Sequence, residues 1–230
     1  MTLYVKAGPD GISFGDCPFA HYVRMVLHEK QLEYDLCPCT AETKPTWLID
    51  TYGGSMPALR HRKECYVDSE VIVQYLDFFF PEPSLSSVSK KKMNIAKECL
   101  DGFFPTVAQY FKHTTTTSTN DGDEKENEYK HQLEQTLQRI ETYLSHEERQ
   151  GPYFVDTGKE CTLIDCSLAP KLYHLIVGLQ EFKANAIDIS SQYPKIQKYY
   201  DFISQRDSFQ KSLYSKDVII WGWTQARNKK

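Results

Sequence analysis

The sequence predicts an α/β domain followed by an all-α domain, and three observations carry that prediction. Over the first 80 residues, apolar positions switch between strand-like and helix-like spacing. A Pro-Glu-Pro-Ser stretch at 81–84 then interrupts the pattern. Beyond it only helical periodicity recurs. The chain has 230 residues, 40% of them hydrophobic and 25% charged, which is enough apolar material for two cores.

Leu3-Tyr4-Val5 reads as the first strand. Phe19, Tyr22, Val23, Val26 and Leu27 fall at i, i+3, i+4, i+7 and i+8, one apolar helix face. Leu32 to Leu36 reads as a second strand, and Trp47, Leu48 and Tyr52 as a short helix ending at Gly53-Gly54. Met56 to Leu59 and Glu64 to Val67 form a hairpin across the basic turn Arg60-His61-Arg62-Lys63, a solvated run rather than a nucleic-acid patch. Val71 to Phe79 is a further helix. The order β-α-β-α-β-β-α is a thioredoxin-like layout, assigned to residues 1–80, with 81–88 as linker and 89–230 as the helical domain.

In the second domain one helix is expected from about Lys90 to Phe111. The stretch from His113 to Asn127 is Thr-rich and then acidic, too polar to bury a core, and reads as a mobile loop. Leu133, Leu137, Ile140 and Leu144 mark the next helix. Thr162 with Asp165 three residues on makes a capping-box-like start. Leu163, Leu168, Leu172, Leu175, Ile176 and Leu179 then place apolar residues on several sides, the mark of a buried central helix.

The composition excludes several classes. No apolar run approaches the ~18 residues of a membrane-spanning helix. A net charge of -4 provides no general attraction to nucleic acid or an anionic membrane. The first residues lack a signal-peptide pattern, and seven cysteines is an odd count, so reduced thiols in a cytoplasmic setting are expected, with an organelle open if a transit peptide was removed. Cys37-Pro38-Cys39 lacks a second ligand pair; it reads as a strand end, and no metal is expected.

The chemistry concentrates at Gly15-Asp16-Cys17-Pro18-Phe19, between the first strand and the first helix. Pro is favoured at the first helical position, which puts Cys17 at the N-cap. Unpaired N–H groups and the positive helix end converge there, and such positions lower a thiol from about 8.5 to roughly 3.5–7.5. Ala20 rules out a Cys-x-x-Cys pair, so an oxidised Cys17 needs an external thiol. Met56-Pro57 begins a strand where a cis bond would offer the residue 56 backbone to a thiol peptide. Asp68-Ser69 opens a helix whose N–H groups suit a carboxylate, or is a plain cap.

Val5-Lys6-Ala7, the Cys17 segment, Asp68-Ser69-x-Val71-Ile72, Pro81 to Leu85, and above all Asp165-Cys166-Ser167-Leu168-Ala169-Pro170-Lys171-Leu172-Tyr173-His174 resemble plant-type dehydroascorbate reductases of the glutathione transferase superfamily. So do Ser208-Phe209, Asp217-Val218-Ile219 and Gly222-Trp223. The resemblance implies a glutathione-transferase fold and a monomer with glutathione as co-substrate. It makes Cys17 the nucleophile, with Lys6 and Asp16 beside it toward glutathione or ascorbate. Lys44, Met56, Pro57, Asp68 and Ser69 would hold glutathione; His174 and Trp223 would line the ascorbate side. Ile220-Trp221 adds one residue to the family pattern, so Trp221 is the alternative to Trp223. Other roles stay open: Lys6 and Lys44 as solvated charges, His174 bonded to a nearby carbonyl, and Asp165 as a cap. Two other families share features with the chain: chloride intracellular channel proteins, which carry a Gly-x-Cys-Pro-Phe motif, and omega-like thioltransferases.

Overall fold

A computed structural model describes residues 1–114, 120–146, 149, 151–155 and 160–228, with the backbone alone for 120–123. The first domain holds β1 (Thr2–Lys6), α1 (Pro18–Glu29), β2 (Asp35–Cys39), α2 (Thr46–Tyr52), β3 (Ala58–His61), β4 (Glu64–Val67) and α3 (Ser69–Phe79). The strands form one sheet in the order β2-β1-β3-β4. β1 pairs parallel with β2 and antiparallel with β3, and β3 pairs antiparallel with β4. The parallel pair needs a crossover, which α1 supplies.

The second strand lies three residues beyond its expected place, at Asp35–Cys39 rather than Leu32 to Leu36. It contains Cys37-Pro38-Cys39, because β2 is the sheet edge, where a missing N–H is tolerated. Around α1 the burial is broader than one face: His21, Arg24 and Met25 are buried as well, while Phe19 is 40% exposed. The helix is covered on two sides, because it packs on the first domain and also against helices of the second. Fully burying Val23, Val26 and Leu27 stabilises it by roughly 1.5–3 kcal/mol per side chain.

The remaining elements are α4 (Lys90–Leu100), α5 (Phe103–Lys112), α6 (Asn120–Leu144), α7 (Leu163–Phe182), α8 (Ile189–Gln192), α9 (Pro194–Ser204), α10 (Asp207–Ser212) and α11 (Lys216–Asn228). The helix expected from Lys90 to Phe111 is two helices. Gly102 stands at φ +73°, a left-handed conformation that no continuous helix contains, and the chain turns there.

The polar stretch from 113 to 127 is not a loop throughout. From Asn120 it is the first part of α6; residues 115–119 lie outside the described residues. Its anchor is distant in sequence: the Glu126 carboxylate accepts two hydrogen bonds from the buried Lys183 ammonium, at 2.6 and 2.9 Å. Tyr129 then begins the apolar seam that continues through Leu133, Leu137 and Ile140.

α7 is buried over most of its length and packs against α1 across the two domains. Asp165 sits at its start and accepts from Thr162 N–H at 2.9 Å, Thr162 Oγ1 at 2.7 Å, Phe154 N–H at 2.7 Å and Tyr199 OH at 3.0 Å. It is a cap that also anchors two neighbouring segments. No helix among the described residues is long and apolar enough to cross a membrane.

Candidate active site

Cys17 stands at the N-cap of α1 with φ −76° and ψ 112°, and Pro18 is the first helical residue. The side chain makes no capping hydrogen bond. The N–H groups of Ala20 and Phe19 nevertheless draw the thiol downward, as does the Lys6 charge, while the Asp16 charge pushes it up. Burial is the largest influence and exceeds the rest, so the free thiol stands above its ordinary value. The sequence-based expectation of a lowered pKa is therefore corrected for the unliganded site. The helix terminus is there, but the enclosing domain interface removes the water that would solvate a thiolate.

The loop between β1 and α1 folds back on the strand it leaves. Ala7 bridges to Phe14, and the Gly15 N–H donates to Lys6 O at 2.6 Å. This return brings the Asp16 side chain over Lys6, whose ammonium donates to Asp16 Oδ1 at 2.6 Å. The other side of the pair is closed by α11. The Lys6 ammonium lies 4.8 Å from the centre of the Trp221 ring. The Asp16 carboxylate lies so close to Gly222 that a Cβ there would stand 1.7 Å from Oδ2. Only glycine fits.

Trp221 and Trp223 therefore occupy different places. Trp221 stacks on the exposed side of Lys6, whereas Trp223 is buried against Phe104, Phe111 and His174. His174, also buried, lies on the α7 face that looks toward Asp16. Its Nε2 is 2.7 Å from the Tyr214 hydroxyl, which donates to the Asp16 main-chain O at 3.3 Å. Burial pushes the His174 imidazole down to about 3, so the ring is neutral. Phe104 spans the gap between this cluster and the nucleophile's helix, with ring centres 5.8 Å from both Phe19 and His174. Lys171, one turn earlier on α7, donates to Ser167 Oγ at 2.8 Å and lies 5.7 Å from the Phe19 ring centre. Burial lowers its ammonium, and Glu70 opposes that.

The other expected ligand residues lie in the first domain. Met56-Pro57 is a cis peptide just before β3. Asp68 caps α3 through Oδ1 to the Glu70 N–H at 2.8 Å, and Ser69 is buried at the first turn. The Lys44 ammonium donates to Gly54 O at 2.8 Å, folding the segment before α2 onto its end. Sequence reasoning missed Tyr214, Phe104 and the packing role of Gly222. Gly222 stood in a quoted motif, so a signal existed for it; Tyr214 and Phe104 gave none.

Elsewhere the molecule has a groove of about 630 Å³ lined by the basic side chains of Arg149, Lys195 and Lys198 among others, and by no cysteine. No group of three or more potential metal-binding side chains occurs among the described residues. All seven cysteines are free thiols.

Two family models match the chain: "Glutathione S-transferase, N-terminal domain" over residues 12–84 and "Glutathione S-transferase, C-terminal domain" over residues 110–216. Glutathione S-transferase DHAR2 of Arabidopsis thaliana is 31% identical over 210 residues, covering 91% of this chain and 89% of the relative. Probable glutathione S-transferase DHAR1, cytosolic, of Oryza sativa subsp. japonica is 30% identical over 228 residues, covering 97% and 96%. The crystal structure of Chlamydomonas reinhardtii dehydroascorbate reductase superimposes with a TM-score of 0.78 at 30% identity, covering 98% of this chain and 97% of that one.

Proposed function

The chain belongs to the glutathione S-transferase family, among its dehydroascorbate reductases, and on that premise we propose that Cys17 is the residue that reduces dehydroascorbate at the expense of glutathione. The observation that carries the assignment is the uncapped N-terminus of α1, where Cys17 meets helix N–H groups beside the Lys6–Asp16 pair.

In the first half-reaction, two electrons pass from the Cys17 thiolate to the adjacent carbonyls of dehydroascorbate. Water supplies the oxygen that ends on sulfur: thiolate, water and dehydroascorbate give a sulfenic acid and the ascorbate monoanion. One proton of the water stays on the sulfenic acid and the other goes to ascorbate. Lys6 offsets the negative charge that moves from sulfur to substrate, and Asp16 relays the proton. In the second half, glutathione thiol condenses with the sulfenic acid, forming a mixed disulfide and releasing water. A second glutathione thiolate attacks the glutathione sulfur of that disulfide, releasing glutathione disulfide and restoring the Cys17 thiolate.

Glutathione lies along the first domain in this reading. The Met56 backbone before Pro57 pairs with its cysteinyl unit, and Ser69 at the start of α3 receives its γ-glutamyl carboxylate. Asp68 uses one oxygen as a cap and presents the other to the ammonium. Lys44 reaches the glycyl carboxylate. His174 and Trp223 line the ascorbate side, with Trp221 holding Lys6 in place. The enzyme acts as a monomer in a reducing compartment.

The test is the glutathione-dependent dehydroascorbate assay on wild type and Cys17→Ala. Wild type is expected to turn over with parallel double-reciprocal lines for the two substrates, and the variant to lose activity. Activity in Cys17→Ala would overturn the assignment, and intersecting lines would overturn the two-stage scheme.

A further inference from the structure

Tyr214 lies between α10 and α11 with its ring enclosed by Phe14, His21, Tyr173 and His174. Its own carbonyl is fixed by the Tyr173 hydroxyl at 3.0 Å. A phenol has one proton, and the Tyr214 hydroxyl has two neighbours: Asp16 O at 3.3 Å and His174 Nε2 at 2.7 Å. A carbonyl only accepts, so the Tyr214 proton goes to Asp16 O. The nitrogen of His174 must then be the donor in the shorter contact. The other ring nitrogen, Nδ1, is buried and has no hydrogen-bond partner among the described residues. The ring is neutral, which leaves Nδ1 with a bare lone pair.

We propose that Tyr214 is a positioning residue for the dehydroascorbate reaction: it fixes His174 as the Nε2–H tautomer, so that Nδ1 serves as a hydrogen-bond acceptor for a substrate hydroxyl. This rests on the reading that dehydroascorbate is the oxidant. Beside His174, at 6.0 Å between ring centres, Trp223 carries a buried Nε1–H that also lacks a partner among the described residues. One unpaired acceptor and one unpaired donor on adjoining rings match a fragment with alcohol groups, each of which donates and accepts. Dehydroascorbate carries alcohol groups; glutathione carries none. The pair thus sorts the two substrates of one active site by a functional group that only one possesses. Tyr214 contributes without touching either.

Two measurements test this. Long-range nitrogen–proton correlation on histidine-labelled wild type, with His174 assigned by comparison with His174→Gln, reads the tautomer directly. A pyrrole-type Nε2 and a pyridine-type Nδ1 are expected; the reverse overturns the proposal, whatever the enzyme's substrate proves to be. Tyr214→Phe keeps the ring and removes the hydroxyl. The KM for dehydroascorbate is expected to rise about tenfold, the scale of one buried hydrogen bond left unmade, with the KM for glutathione within about twofold of wild type. His174 in that variant should show a mixed tautomer signal. Equal shifts in both KM values, or no shift in either, would mean that Tyr214 only packs. Absence of dehydroascorbate turnover in wild type would instead defeat the reading of the preceding section, and the spectrum would still decide the tautomer.

Discussion

Two buried helices that pack face to face, α1 and α7, begin in opposite ways. At α7 the carboxylate of Asp165 collects Thr162 N–H and hydroxyl, Phe154 N–H and Tyr199 OH. At α1 the N-cap is a cysteine, which makes no capping hydrogen bond. Both termini carry the same surplus of unpaired N–H groups. Where they are taken up, as Thr162 N–H is by Asp165 and Leu163 N–H by Leu85 O, the terminus is inert, and the same carboxylate pins neighbouring segments. Where a half-buried sulfur faces them, the terminus stays available for a charge that forms only during reaction. The difference separates a stabilising helix start from a reactive one by the atom placed at the cap.

Exchanging roles breaks the comparison most sharply. Cys17→Ala is expected to reduce dehydroascorbate turnover by on the order of 10³-fold or more, with a thermal midpoint close to wild type. Asp165→Ala is expected to do the reverse. It leaves several buried donors unpaired and costs about 3–5 kcal/mol in denaturant unfolding, while turnover per folded molecule stays near wild type. Lost stability in the first variant, or a loss of turnover beyond the unfolded fraction in the second, would erase the distinction between the two caps.

The faces between the helices give a smaller, pH-dependent effect. His174 on α7 is held neutral down to about 3, and burial likewise pushes His21 on α1 well below its ordinary 6.5. Between pH 6.5 and about 3 the unfolded histidine binds a proton that the folded one does not, so stability falls as pH falls. The slope from His174 is roughly 1.4 kcal/mol per pH unit. Urea titrations across that range should show it, and His174→Gln should flatten it. An unchanged slope in the variant would mean that the acid sensitivity arises elsewhere.

The smallest effect concerns the reactive terminus itself. Iodoacetamide labelling of Cys17 in the free protein should keep accelerating above the ordinary thiol midpoint of about 8.5. Lys6→Met removes a charge that lowers the thiol and should move the midpoint up; Asp16→Asn removes one that raises it and should move it down. Shifts in the opposite senses would show that the variants act through rearrangement instead.

The nucleophile was legible in the sequence because its signal is local: a proline after the cysteine fixes the helix start within two residues. The Asp165 cap was legible for the same reason. Where local signals mislead, tertiary partners decide. The second strand was expected at Leu32 to Leu36, yet it runs through Pro38, which the sheet edge accommodates. The apolar spacing from Lys90 to Phe111 carried no mark of a break except Gly102, whose left-handed backbone ends the helix. The acidic start of α6 looked unable to fold because Lys183, which holds Glu126, is 57 residues away. Tyr214 was invisible because nothing near it in sequence reveals that its hydroxyl meets Asp16, 198 residues distant. The elevated Cys17 thiol belongs to this group too, since the burial that raises it depends on the second domain's packing.

The seating of Asp16 against Gly222 bears on the order in which the protein is made. Cys17 leaves the ribosome early, and the glycine that receives its neighbour follows about two hundred residues later, on the order of 10–40 seconds at about 5–20 residues per second. Throughout that interval Lys6 lacks Trp221, Asp16 lacks its seat, and Cys17 lacks the second domain that raises its thiol. A nascent chain therefore carries the Lys6–Asp16 pair without its cover, and completing α11 is the step that closes it.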